Sequence, residues 1–212
     1  VAALAAGNTV IFKPSSDALL VAWVLCQCFW RAGVSQNTLQ LLPCSGATTA
    51  AKLTNNPAVD FIILTGGTAT GLSILKQRPG ILLAAETGGK NATIVTAMSD
   101  RDQAISNVIY SAFGNSGQKC SATSLLILEP EVYEDTHFKR QLVDAAHSIS
   151  TGSAWDFFNK MGPLIKPPQG DLKKALTELE PGESWALQPQ NMDGNPYLWT
   201  PGIKWGVRPE SY

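Results

Sequence analysis

The chain has 212 residues, 44% of them hydrophobic and 16% charged, with 16 Lys and Arg set against 17 Asp and Glu. That balance excludes wholesale disorder, and a net charge of −1 without a basic cluster excludes nucleic acid as an expected partner. The longest apolar stretch, Leu19 to Trp30, is interrupted by Gln27 and falls short of the roughly 20 residues that a membrane span needs, so no membrane partner is expected.

In chain order, the opening Val1 to Gly7 reads as the last turns of a helix closed by glycine, as if the chain were part of something longer. Thr9 to Phe12 reads as a strand ended by Pro14, and Asp17 to Ala32 as a helix closed by Gly33. The cycle then repeats, with strands at Leu39 to Leu42, Val59 to Leu64 and Ile81 to Ala84 and helices at Ala47 to Thr54 and Thr68 to Lys76. Helices between short apolar strands are the pattern of a doubly wound parallel sheet. Beyond Gly89, a strand at Thr93 to Thr96, a helix at Asp100 to Phe113, a strand at Ser124 to Leu128 and one long helix at Val132 to Ile149 suggest a second α/β domain. From about Gly162 the chain is rich in Pro and Gly, with Asp171 to Leu179 as the one expected helix.

Four cysteines, Cys26, Cys28, Cys44 and Cys120, show no CxxC spacing and fit a reducing compartment, with a cytoplasmic location as the expectation. Cys26, Cys28 and Cys44 lie in apolar surroundings and are expected to be small buried hydrophobes. His137 and His147 are the only histidines, so no metal site is expected. Cys120 differs, because it follows the turn Gly114-Asn115-Ser116-Gly117-Gln118-Lys119 and precedes a strand, a polar setting that suits a thiolate nucleophile. Read alone it fits a buried thiol equally well.

Glu86 ends an apolar strand just before Gly88 and Gly89, where a carboxylate at the carboxyl edge of a parallel sheet can face a ligand cleft and act as a general base. A capping or loop carboxylate is the plainer alternative. Lys13, fixed by Pro14 at a strand exit, is placed to reach ribose hydroxyls. Thr65-Gly66-Gly67-Thr68 leaves a strand and opens a helix, whose N-terminal N–H groups suit a pyrophosphate. The spacing is not GxGxxG, so an ordinary strand-to-helix turn fits as well.

Taken in order, Asn8 to Ser15, Leu64 to Gly67, Glu86 to Asn91 and Gly117 to Cys120 resemble the four core signatures of the aldehyde dehydrogenase superfamily, with Glu86 and Cys120 separated by 34 residues. The resemblance implies an α/β fold with an incomplete Rossmann-type parallel sheet. Residues 1–86 would be part of an NAD(P)-binding domain and residues 87–212 part of a catalytic domain. It implies NAD(P)-dependent oxidation of an aldehyde, with Cys120 as nucleophile, Glu86 activating the hydrolytic water, and Lys13, Ser16, Gly66, Gly67, Thr68 and Gly88 contacting the cofactor. The backbone N–H of Cys120 would help hold the oxyanion.

A narrower resemblance, carried by Gly117 to Ala122 and by Asn195 to Pro209, is to the branch that oxidises L-glutamate γ-semialdehyde, including the dehydrogenase half of bifunctional proline-utilisation proteins. It implies that Ser121 binds the substrate carboxylate, that the parent enzyme is a homo-oligomer, and that a proline dehydrogenase domain is a candidate fusion partner. Other hydrolytic branches, for succinic semialdehyde or aliphatic aldehydes, and a noncatalytic module are the alternatives. Ser16 stands where many NAD-preferring members carry Glu, so NADP is not expected to be strongly excluded. Gly67 replaces the usual Ser. Members of the family are much longer, so the resemblance further implies a fragment with little or no turnover by itself and with apolar surface left exposed.

Overall fold

A computed structural model describes residues 1–209 and 211, apart from the side chains of Ala47 and Thr48. The chain divides into two compact units, Val1–Thr87 and Gly88–Tyr212.

In the first unit, α1 (Ala2–Ala5) leads into β1 (Val10–Phe12), which pairs in parallel with β2 (Leu39–Leu41). The crossover is α2 (Leu19–Arg31). Its end carries both bonds of a Schellman motif, Gly33 N–H to Trp30 O at 3.1 Å and Val34 N–H to Phe29 O at 3.0 Å, so the helix stops where the glycine predicts. Ala22 and Cys26 face inward, and the Trp30 indole donates to Leu39 O at 3.0 Å, which ties the helix to β2. The segment expected as one helix from Ala47 is a π-helical turn, Gly46–Ala50, followed by α3 (Ala51–Thr54).

β3 (Phe61–Gly66) and β4 (Leu82–Thr87) form a second parallel pair, joined through α4 (Thr68–Gln77). α4 lies close against them at Gly71, where a Cβ would stand 3.4 Å from the Leu64 side chain and 4.0 Å from that of Ala85. The incomplete parallel sheet expected here is present as two separate parallel pairs in this unit. Apolar side chains remain exposed on these elements, among them Leu20 and Val21 on α2 and Ile63 and Leu82 on β3 and β4.

The second unit has the better-formed core. β5 (Asn91–Val95) and β6 (Thr123–Leu128) pair in parallel around α5 (Arg101–Phe113), whose N-cap Asp100 accepts from Gln103 N–H at 2.9 Å. The long helix expected from Val132 to Ile149 is broken into α6 (Pro130–Tyr133) and α7 (Thr136–His147). Asp135 is the physical reason: its carboxylate accepts from His137 N–H at 2.9 Å and Phe138 N–H at 3.2 Å and starts a new helix. These bonds, led by that from Phe138 and joined by the Arg101 guanidinium at 3.2 Å, hold the Asp135 carboxyl below the usual range.

Val95, Ile105, Val108, Val132, Phe138 and Leu142 form the buried cluster. Complete burial of the Phe138 ring contributes about 2–3 kcal/mol of transfer free energy. Beyond α8 (Gly170–Thr177), the tail read as loops contains an antiparallel pair, β7 (Ser184–Leu187) and β8 (Ile203–Trp205). Trp205 of β8 stacks on Tyr133 with ring centroids 5.0 Å apart, which docks the tail on the core. Glu183, at the start of β7, accepts from Glu180 N–H and pairs with Lys204 at 3.0 Å; its carboxyl is held below the usual range. Among the described residues no helix is long and apolar enough to cross a membrane.

Candidate functional site

The polar turn of the second unit begins where α5 ends. Asn115, Ser116 and Gly117 take φ of 55°, 56° and 69° in succession, the left-handed region that non-glycine residues rarely enter. At Gly117 a Cβ would lie 3.0 Å from the Ala112 carbonyl, so glycine is required both for φ and for space. Two side chains hold this strained turn against the segment that follows α7. Ser116 Oγ donates to Gly162 O at 2.6 Å, and Gln118 Oε1 accepts from Ile165 N–H at 2.9 Å while its amide donates to Pro163 O at 3.4 Å.

The chain then makes a β-turn, with Ala122 N–H donating to Lys119 O at 3.1 Å, which puts Cys120 and Ser121 at its two central positions. Both are exposed. Below the turn, the Ser111 hydroxyl accepts from Thr123 N–H at 3.1 Å, and Thr123 Oγ1 lies 2.8 Å from Thr93 Oγ1, joining α5, β6 and β5 at their polar ends. A cavity of about 600 Å³ within this unit runs beneath the turn, with Asn91, Ser116, Gly117 and Lys119 in its wall at this end and Trp185 and Trp199 further along.

The cysteine expectations need correction in part. Cys26 is buried, and burial pushes its thiol pKa up. Cys28 is exposed and Cys44 only half-buried, because the turn of α2 that carries Cys28 does not pack with the Ala22 and Cys26 face, and Cys44 sits in the loop after β2.

In the first unit, the register Thr65↔Glu86 and Gly66↔Thr87 brings Glu86 to the same end of the β3–β4 pair as Gly66, Gly67 and Thr68. Glu86 is exposed at that edge. Gly67 is the N-cap of α4, with no side-chain cap and nothing within 4 Å of where a Cβ would stand, so the helix N-terminus is open to an incoming group. Lys13 follows β1 and is half-buried, its Nζ donating to Pro14 O at 2.7 Å. Ser16 opens the short 3-10 turn Ser16–Ala18 and is exposed. Gly88 begins the second unit, three residues before Asn91.

Asn91 is the residue whose part the sequence reading left unassigned. Its side-chain amide donates to Cys120 O at 2.6 Å and to Ala122 O at 3.1 Å. Its place as the last residue of the Glu86 to Asn91 signature was the available signal; its bonding to a turn 29 residues onward was not legible in one sequence. Ser116 and Gln118 were visible as turn residues without a stated task.

The sequence profile of the aldehyde dehydrogenase family matches residues 1–212. Among curated relatives, the 1-pyrroline-5-carboxylate dehydrogenase of Geobacillus thermodenitrificans (strain NG80-2) is 35% identical over 191 residues, which cover 86% of this chain and 36% of that protein. Among solved structures, proline utilization A from Corynebacterium freiburgense superposes with a TM-score of 0.93 at 40% identity, covering 100% of this chain and 22% of that one. A Thermus 1-pyrroline-5-carboxylate dehydrogenase with bound NAD has a TM-score of 0.83 at 31% identity, covering 97% of this chain and 41% of its own. The chain thus spans a little over a third of the length of that curated relative. With the family profile matched from end to end and the relatives this similar, the chain belongs to the aldehyde dehydrogenase family.

Proposed function

We propose that this chain supplies the cofactor-contacting and nucleophile-bearing parts of an NAD(P)-dependent dehydrogenase that oxidises L-glutamate γ-semialdehyde to L-glutamate. The observation that carries the reading is the exposed Cys120 at the centre of a turn whose strained approach is held by Ser116 and Gln118. A structural thiol has no need of such a mounting.

In this reading the Cys120 thiolate adds to the aldehyde carbon, and the oxyanion of the resulting thiohemiacetal is met by backbone N–H groups of the turn. Bound NAD(P) would supply the hydride acceptor that leaves a thioester on Cys120. Glu86 takes a proton from water, hydroxide adds to the thioester carbon, and the C–S bond breaks to release carboxylate and thiolate. The open N-terminus of α4 at Gly66, Gly67 and Thr68 fits a pyrophosphate, because its first N–H groups have no side-chain cap to compete. Lys13 and Ser16 are the proposed ribose contacts, and Gly88 lets the chain pass close to the nicotinamide. With Ser16 carrying no charge, a 2′-phosphate meets no carboxylate there, and NADP is proposed as a usable alternative. Ser121 is the proposed partner of the substrate's α-carboxylate. Residues 1–86 are proposed as part of a cofactor-binding domain that ends on the base Glu86, and residues 87–212 as part of the catalytic domain, within a longer and oligomeric enzyme; alone, the chain has little or no turnover.

The semialdehyde branch is preferred because proline utilization A from Corynebacterium freiburgense superposes over 100% of this chain with a TM-score of 0.93 at 40% identity. The first covalent step tests it without turnover: reversible addition of the aldehyde masks the thiol from iodoacetamide. L-glutamate γ-semialdehyde should slow alkylation of Cys120 and leave Cys28 unchanged, with Ser121→Ala weakening that protection selectively over protection by butyraldehyde. Equal protection of Cys28 and Cys120, or none, would overturn the reading.

A further inference from the structure

The Asn91 side chain makes two bonds that the proposed chemistry has not used. The backbone ladder between β5 and β6 shifts register between Asn91 and Ala92, at the end nearest the turn. Just there the Asn91 amide reaches across, one nitrogen donating to Cys120 O at 2.6 Å and to Ala122 O at 3.1 Å, so both of its hydrogens are spent on the nucleophile turn. Ser124 Oγ returns a bond to Asn91 O at 3.4 Å. The side chain thereby extends the β5–β6 pairing by one step past the point where the main chain stops.

The turn needs this support. The Ala122 to Lys119 bond closes its ends but leaves the central peptide, Cys120 C=O with Ser121 N–H, without a main-chain partner among the described residues. Ser116 and Gln118 fix only the approach to the turn. A trans peptide points its C=O and N–H to opposite sides, so holding Cys120 O on Asn91 sends Ser121 N–H the other way. Neither Cys120 N–H nor Ser121 N–H has an acceptor within the chain among the described residues. A donor on the carbonyl also polarises the peptide and strengthens its N–H as a donor.

We infer that Asn91 is a positioning residue for the nucleophile: its amide locks the Cys120–Ser121 peptide and so presents the Ser121 N–H, beside the Cys120 N–H of the preceding peptide, to negative charge developing at or beside the Cys120 sulfur. It touches no substrate and acts through the turn. This rests on the reading of Cys120 as the nucleophile. It adds a task for the last residue of the signature that begins at Glu86, linking that segment to the cysteine through its own side chain.

The test measures iodoacetamide alkylation of Cys120 and Cys28 by mass spectrometry between pH 6 and 10 in Asn91→Ala, Asn91→Leu and Asn91→Gln. Leucine keeps the bulk of asparagine and removes both donors. Asn91→Ala and Asn91→Leu should slow Cys120 about fivefold or more near neutral pH, with Cys28 and the melting temperature nearly unchanged. Asn91→Gln, which keeps the donors, should recover part of the rate. The backbone amide resonance of Ser121 should broaden in the alanine and leucine variants and sharpen in the glutamine one, as expected if its peptide is released. Wild-type rates in Asn91→Ala and Asn91→Leu, or a parallel fall at Cys28 and Cys120 that marks general loosening, would overturn the inference while leaving a selectively reactive wild-type Cys120 standing. A wild-type Cys120 no faster than Cys28 would remove both the reading and the inference.

Discussion

Two glycine-bearing turns stand at the polar ends of parallel strand pairs, and they are built in opposite ways. At Gly67 nothing lies within 4 Å of where a Cβ would be, and α4 begins without a side-chain cap. At Gly117 the same atom would meet the Ala112 carbonyl at 3.0 Å, two left-handed non-glycine residues precede it, and Ser116, Gln118 and Asn91 hold the turn from both sides. A turn that receives an anion keeps its N–H groups free and its surroundings empty. A turn that aims a reacting atom tolerates strain and spends side chains to fix it.

Gly67→Asp breaks the comparison most sharply. Aspartate at an N-cap stabilises a helix, and open space there lets it fit, so the melting temperature should hold or rise. The carboxylate would repel a pyrophosphate, and NAD affinity measured by tryptophan fluorescence should fall about tenfold or more. Unchanged affinity would place the dinucleotide elsewhere.

Gly117→Ala comes next. An alanine at φ 69° facing a carbonyl at 3.0 Å should cost about 1–2 kcal/mol of stability, read by chemical denaturation, and slow Cys120 alkylation several-fold. If stability falls and the thiol rate does not, the strained approach is scaffolding with no influence on reactivity.

The smallest effect concerns two carboxylates of the second unit, Asp135 at the start of α7 and Glu183 just before β7. Asp135 and Glu183 have folded pKa values held below their unfolded ones, so their contribution to stability is complete above roughly pH 4 to 4.5 and is lost as pH falls through the lowered folded values. Asp135→Ala should lower the melting temperature at neutral pH by a few degrees, and the gap to the wild type should narrow in acid. A gap independent of pH would mean that the cap acts without its charge.

The alternation of short strands and helices made the α/β class legible, because short apolar strands and their helical crossovers write periodicities that local residues decide alone. The ends of the elements were less legible. Asp135 looked like one more polar residue in a helical run, and only its reach to the His137 and Phe138 N–H groups shows it to be a start signal. Trp185 and Trp205 read as scattered aromatics in a Pro- and Gly-rich tail, since pairing of β7 with β8 spans residues far apart in sequence. Cys28 shows the same limit: apolar neighbours in sequence did not bury it, because burial is set by which face of α2 has something to pack on. The signatures around Cys120 and Glu86 could be read, whereas the bonds from Asn91 and Gln118 to residues 29 and 47 positions away could not.

If the Cys120 turn activates its thiol beyond simple exposure, the molecule contains its own control. Cys28 is exposed as Cys120 is, and Cys26 is buried. Alkylation rates of all three, measured residue by residue in one sample near neutral pH, test the claim most directly. Cys120 should react faster than Cys28 by about tenfold or more, with Cys26 slowest. Equal rates at Cys28 and Cys120 would contradict it.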